Sequence, residues 1–365
     1  MNLSHPSTLL QNDWIEIIRS NSSQAEKEKR LTHSQLDLIY NQDWHKLMLP
    51  QSYGGKQLSV PDALQLIEAF SWADASFGWI IAINTVSGWQ SSFLDPTTAR
   101  ELLNEHNFIL SSSRAESGTA ELTEGGYIVN GAWPHASGSV DAKAVIGNCV
   151  LTKDGIPISQ GDTRQTRSVI FLADEISILP TWKSMGMLAS ASDGFEVKNK
   201  FVPANRAFKT GENHRASGKL YHYPYMRMIE AGLGIIISGI TLHFLDLCKQ
   251  HFDTKTSPVG VLLADDRMVQ SDLDRLTRKF DTARDKLFYG VSILWQAVAE
   301  SKPLYPAVMN KVSSATSTLA QIARETVNEL YPYLGLKVTE TDTELNRVWR
   351  DFQTASQHSL LVFGG

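Results

Sequence analysis

The chain is poor in several things that would mark other kinds of protein. It has only 2 cysteines in 365 residues. Cys149 and Cys248 are far apart and form no CxxC pair, which excludes a disulfide framework and a cysteine zinc site and fits a reducing cytoplasm. There is no basic excess: 34 Lys and Arg face 39 Asp and Glu, for a net charge of −5. A nucleic-acid binder needs cations to neutralise phosphates, so nucleic acid is not an expected partner. The most apolar runs, Phe77–Trp89 and Gly232–Ile240, are short for a bilayer span, so no membrane is expected either. Met1 to Arg30 is polar and holds no signal-peptide core. One local absence stands out near the end: no Asp or Glu follows Asp351.

What is present is unevenly spread. Residues 111–218 hold 12 of the 24 glycines. A glycine-rich middle between glycine-poor flanks predicts a turn-rich β segment between helical ones. The N-terminal part carries the apolar stripe Trp14, Ile15, Ile17 and Ile18. Pro61-Asp62 then opens a helix with Ala63, Leu66, Ile67 and Phe70 on one face, and Asp95-Pro96 opens another. In the middle, Ile109–Ser111, Tyr127–Val129, Ala144–Leu151, Ser168–Leu172, Phe195–Val197 and Phe201–Pro203 are strand candidates bounded by turn residues. The last 150 residues return to helical spacing. Ile229 to Leu247, Leu273 to Val298 and Val308 to Leu330 each step by threes and fours, and Thr343 to about Leu361 makes a fourth helix. Four such helices predict a bundle. The segment Gly232-Leu233-Gly234 with Gly239 has the wrong spacing for a dinucleotide loop and predicts close helix packing instead. The predicted organisation is an α+β, mainly α, fold: a helical domain over 1–108, a β-barrel or sandwich over 109–215 and a four-helix bundle over 216–365.

With its motifs, this order resembles the acyl-CoA dehydrogenase superfamily along nearly the whole chain. Pro50-Gln51-Ser52-Tyr53-Gly54-Gly55 is similar to an early turn of that family. Gly126 to Gly131 followed by Trp133-Pro134-His135-Ala136-Ser137-Gly138 is similar to its first flavin-contacting strand. Trp182 to Met187 leading to Ser190-Ala191-Ser192 is similar to its second. Phe201-Val202-Pro203 and Arg347-Val348-Trp349-Arg350-Asp351 resemble the exit of the β domain and the entry to the last helix.

The superfamily has two functional branches, and the resemblance implies a choice between them. The dehydrogenases oxidise a CH–CH bond with FAD and need a carboxylate to remove a weakly acidic proton. The flavin-dependent monooxygenases take reduced flavin from a separate reductase and activate oxygen. Where a dehydrogenase base would stand, this chain has His358, as the monooxygenases do, and an imidazole titrates near neutrality. Glu230 is the alternative carboxylate, about one turn from its expected place. Ser137-Gly138 resembles the monooxygenase Ser-Gly pair, whose hydroxyl can bond the flavin N5. The blander alternatives are a histidine satisfied near the chain end and a Ser-Gly turn without a ligand. The adenine-binding motifs of the dehydrogenases are missing from Asp253–Gly260 and Tyr331–Gly335.

The resemblance therefore implies a flavin-dependent monooxygenase that oxygenates a small aromatic or heteroatom-bearing substrate with reduced FMN or FAD and no metal. His358 and Ser137 are its catalytic candidates. Trp133, His135, Ser137, Gly138, Trp182, Ser190 and Ser192 are its flavin-binding candidates, and Phe208 is a further lining candidate. The implied setting is a cytoplasmic homo-oligomer, a dimer or tetramer, served by a separate flavin reductase. A non-catalytic relative that uses the bundle for assembly is the third reading.

Overall fold

The computed structural model describes residues 3–103, 105–212 and 214–363. Five helices come first: α1 (Asn12–Glu28), α2 (His33–Asn41), α3 (Val60–Ala73), α4 (Ala75–Gln90) and α5 (Pro96–Leu103). Their starts follow from the sequence. Thr32 and Gln35 form a capping box on α2. Ser59 caps α3, with Pro61 in its first turn. Asp74 ends α3 in extended backbone and caps α4 by accepting from Phe77 N at 2.9 Å. Apolar residues surround α4, so it is a core helix rather than a surface one.

The strands run from Leu110 to Phe208. They are β1 (Leu110–Ser112), β2 (Gly118–Thr123), β3 (Gly126–Trp133), β4 (Ala144–Lys153), the short β5 (Ile156–Pro157), β6 (Ser159–Gln160) and β7 (Thr163–Arg164), then β8 (Thr166–Leu172), β9 (Ser177–Leu179), β10 (Gly194–Pro203) and β11 (Ala207–Phe208). The main sheet has nine strands in the order β11-β8-β4-β2-β3-β10-β9, with β1 and β5 also on β4. Phe195–Val197 and Phe201–Pro203 are one strand, β10, kinked by a register shift between Val197 and Lys200.

β1 and β2 both pair in parallel with β4, at Ala144–Ile146 and at Cys149–Thr152. They are one edge interrupted: the chain leaves β4 after Ser112 and rejoins it at Gly118. Asn148 Nδ2 holds the excursion by donating to the Ser113 and Arg114 carbonyls.

The sheet curls around one indole. Trp133 stacks on Phe195 with ring centroids 4.8 Å apart and lies against Phe171. A Cβ at Gly118 or Gly131 would strike its ring. Those two glycines are spacers for Trp133.

The C-terminal helices are α6 (Tyr225–Phe252), α7 (Arg267–Ala299), α8 (Pro306–Leu330), α9 (Glu344–Ala355) and α10 (Ser359–Val362). α6 is the central element, packed against α3, α8 and α9, while α7 packs along α8. By length and composition α6 could cross a membrane, but 89% of its most apolar window is buried inside the protein. The apolar run at Gly232–Ile240 is thus the middle of a longer core helix. Gly239 does serve close packing, since a Cβ there would lie 2.5 Å from the Glu68 carbonyl of α3. Gly232 does not: a Cβ there would meet nothing within 4 Å.

The helix expected over Thr343 to Leu361 is broken. α9 stops at Ala355, and His358 sits in extended backbone as the cap of α10. Arg324 of α8 draws the carbonyls of Ser356 and Leu361 toward itself, which holds the break open. One continuous apolar core joins the first helices, the sheet and the bundle.

Candidate active site

A cavity of about 860 Å³ opens where α3, α4, the sheet, α6 and the α9–α10 break meet. That is toward the upper end of ligand pockets, which run about 300–1,000 Å³. Its deep wall is apolar, with Leu64 and Ile67 of α3, Ala82 and Val86 of α4, and Leu233 and Ile236 of α6. Gly232 also faces it and leaves open space there. Among the described residues, no aspartate or glutamate lines it.

The polar groups converge from three turns. The first follows β3, where His135 (φ 57°) and Gly138 (φ 73°) adopt left-handed backbone. That turn places Ser137 in the wall. Gly138 N donates to the Ser190 carbonyl at 2.9 Å, and Ser111 Oγ donates to the Ser137 carbonyl at 2.7 Å. The second turn carries Ser190 and Ser192, with left-handed backbone at Met187 (φ 56°) and Ala191 (φ 45°). Ser137 Oγ lies 2.7 Å from Ser192 Oγ, which lies 2.7 Å from Ser190 Oγ. From α4, Trp79 Nε1 donates to Ser137 Oγ at 2.9 Å.

The third turn is the α9–α10 break. His358 Nδ1 accepts from Leu360 N at 3.3 Å, so the neutral ring carries its proton on Nε2. Its ring lies 6.4 Å from that of Trp79. Burial, with Arg114 and His135 nearby, pushes its pKa down to about 4. The imidazole is therefore neutral at physiological pH.

Helix α9 also grips the segment that carries the second turn. Gly186 N donates to Thr354 Oγ1 at 3.0 Å, Met187 N donates to Asp351, and Arg350 donates to the Met185 carbonyl at 2.7 Å. A Cβ at Gly186 would strike the Arg350 carbonyl, so only glycine permits this approach. Asp351 is buried. That burial, with Asp74 close by, raises its pKa to about 7.

The predicted residues divide accordingly. Ser137, His135, Trp182, Ser190, Ser192 and His358 all line the one cavity. Gly138 shapes the Ser137 turn beside it. Trp182 meets His135 edge-on at 5.9 Å and donates from Nε1 to the Met187 carbonyl. Trp133 does not line the cavity. Strand alternation turns it into the sheet interior, where Nε1 donates to the Asn148 carbonyl at 2.8 Å. Phe208 is likewise buried away from it.

Glu230 also points elsewhere. Ser313 Oγ of α8 donates to it at 2.7 Å. The stretches 253–260 and 331–335 come together at the bundle end, where Lys255 Nζ donates to the Tyr333 carbonyl at 2.9 Å. They form no part of the cavity.

Trp79, Tyr225 and Arg114 are among the cavity residues that escaped the sequence. Trp79 is one apolar residue among many in a buried helix, so nothing distinguishes it. Tyr225 lies in the first turn of α6. Arg114 had a visible signal, a lone cation directly after the serines 111–113.

Against known proteins, residues 232–363 match the acyl-CoA dehydrogenase C-terminal domain family. The chain is 21% identical over 344 residues to an indole-3-acetate monooxygenase of Pseudomonas putida, covering 94% of this chain and 87% of that one. It is 24% identical over 355 residues to the flavin-dependent monooxygenase oxygenase subunit HsaA of Mycobacterium tuberculosis, covering 94% and 88%. Its fold superposes on that of XiaF from a Streptomyces species, solved with FADH2 and glycerol, with a TM-score of 0.88, 21% identity and 97% and 93% coverage. Residues 232–363 thus match an acyl-CoA dehydrogenase C-terminal domain, and along nearly its whole length the chain is similar in sequence to flavin-dependent monooxygenases and shares the acyl-CoA dehydrogenase-like fold.

Proposed function

We propose that the protein is the oxygenase component of a two-component flavin-dependent monooxygenase. It takes reduced flavin from a separate reductase and oxygenates a small aromatic or heteroatom-bearing molecule. The observation that carries this reading is a cavity lined by Ser137 and His358 and, among the described residues, by no carboxylate. An acyl-CoA dehydrogenase has nothing there to remove its substrate proton.

The wall fits a flavin. Three buried hydroxyls and the tight turns at Gly138 and Met187 bring backbone and side-chain polar groups to one side, opposite an apolar wall. Bound reduced flavin supplies the electrons that activate dioxygen. Ser137 would hold it at N5, with Ser190 and Ser192 supporting that contact, and His135 and Trp182 would flank the ring. His358 offers Nε2–H to an oxygen atom at the reacting centre and manages its proton. The apolar wall from α3, α4 and α6 takes the substrate and keeps water away. FMN and FADH2 are both candidates for the flavin, and a cytoplasmic homotetramer is the assembly that goes with this reading.

Anaerobic titration with reduced FMN and reduced FAD, then mixing with oxygen, tests the reading. The expected result is tight binding followed by a slowly decaying absorbance that belongs to neither reduced nor oxidised flavin. Bleaching of bound FAD by an acyl-CoA would overturn it.

A further inference from the structure

The polar wall contains a row of hydroxyls whose direction can be worked out. Ser190 Oγ lies 2.6 Å from the Met187 carbonyl oxygen, then come Ser192 Oγ and Ser137 Oγ at 2.7 Å steps, and Trp79 Nε1 closes the row at 2.9 Å. All three serines are buried. Each hydroxyl has one hydrogen to give. A carbonyl only accepts, so Ser190 donates to Met187. With that hydrogen used, the contact between Ser192 and Ser190 is donated by Ser192. The contact between Ser137 and Ser192 is then donated by Ser137. An indole N–H only donates, so Trp79 cannot reverse the order. Ser137 ends with its hydrogen committed inward and one lone pair left, so in this arrangement it can only accept.

We propose that the row Trp79–Ser137–Ser192–Ser190–Met187 makes the site selective for the redox state of the flavin. It holds Ser137 as an acceptor for the N5–H of reduced flavin and opposes the oxidised form. The inference rests on the reading that Ser137 faces N5. Oxidised N5 presents a lone pair. To donate to it, Ser137 must release Ser192 and break a buried hydrogen bond. Ser137 is the residue that touches the cofactor, while Trp79, Ser190 and Ser192 are positioning residues. Such a site loads flavin that arrives reduced and releases it once oxidised.

The test is the dissociation constant of oxidised and of anaerobically reduced FMN, measured for the full-length protein and its variants. Wild type is expected to favour reduced FMN at least tenfold, which raises the two-electron potential of the bound flavin by about 30 mV per tenfold. Ser192→Ala frees the Ser137 hydrogen, and Ser190→Ala cuts the row one link earlier. Both are expected to shrink the preference at least fivefold, chiefly by tightening oxidised FMN. Ser192→Thr keeps a hydroxyl and restores it. An unchanged ratio in Ser192→Ala, Ser190→Ala and Ser137→Ala, with FMN still bound, would overturn the row. If wild type binds neither form, the flavin reading itself fails and takes this inference with it.

Discussion

Arg227 and Glu230 form an ion pair at 2.8 Å, three residues apart on α6 and turned toward Ser313 of α8. The same helix turns Ile229 and Gly232 to the cavity. The carboxylate is thus held on the wrong side of its helix to act as a base. Glu230→Gln is predicted to leave turnover within about threefold. It should cost about 1–3 kcal/mol of stability, because it leaves Arg227 half-buried without its counter-charge. A loss of turnover above 100-fold at unchanged folding would place the carboxylate back in the chemistry.

His358→Ala is predicted to lower oxygenation by about 10²–10⁴-fold, the usual range for a proton-handling residue. Reduced-flavin affinity should stay within a few-fold. Because the ring is neutral above about pH 4, His358 should add no limb near pH 6.5 to the kcat/KM profile. Stopped-flow mixing with oxygen separates flavin binding from oxygen transfer, and unchanged oxygen transfer would remove His358 from its role.

The outline of the fold was legible because periodicity and glycine density survive in a single sequence. β2 was not, because the alternation of its Gly-Thr-Ala-Glu-Leu-Thr rests on small residues and on a Leu122 that stays exposed, and it buries only Gly118 and Ala120. Its place is fixed by β3 and β4, which the local sequence does not encode. The break at Ser356–His358 was missed for a similar reason, since Arg324 comes from another helix. Trp133 was misplaced because a motif gives neighbourhood and not direction. It and His135 are two residues apart, yet one faces the sheet interior and the other the cavity.

Two glycines of α6 should respond in opposite ways. Gly232→Ala replaces a poor helix former where space is open, so stability should rise by up to about 1 kcal/mol. The added methyl enters the cavity and should raise the KM for bulky substrates. Gly239→Ala drives a methyl into the α3 backbone and should destabilise by about 1–3 kcal/mol. Thermal melts and substrate-size series read both effects, and equal responses would contradict the packing.

Asp351 gives a pH prediction with a definite sign. Its pKa rises from 3.8 to about 7 on folding. The stability it contributes is complete below about pH 4 and is lost as pH rises through 7. Asp351→Asn lacks that loss. Relative to wild type, its stability should therefore climb by about 1.4 kcal/mol per pH unit between those limits and level off above them. Tm measured across the same range reads the trend. Parallel melting curves would show that the carboxyl is ordinarily ionised.

The interrupted edge of β4 separates two demands that usually compete. Ser112 and Gly118 are each pinned in register, and of the five residues between them only Ser113 keeps a backbone bond to β4, through its N–H to the Ile146 carbonyl. Three of those five, Ser113, Arg114 and Ala115, border the cavity. The rim can therefore be rewritten, in charge or in bulk, without re-registering the sheet that carries it, which makes this excursion the place where a change of substrate range meets the least structural resistance.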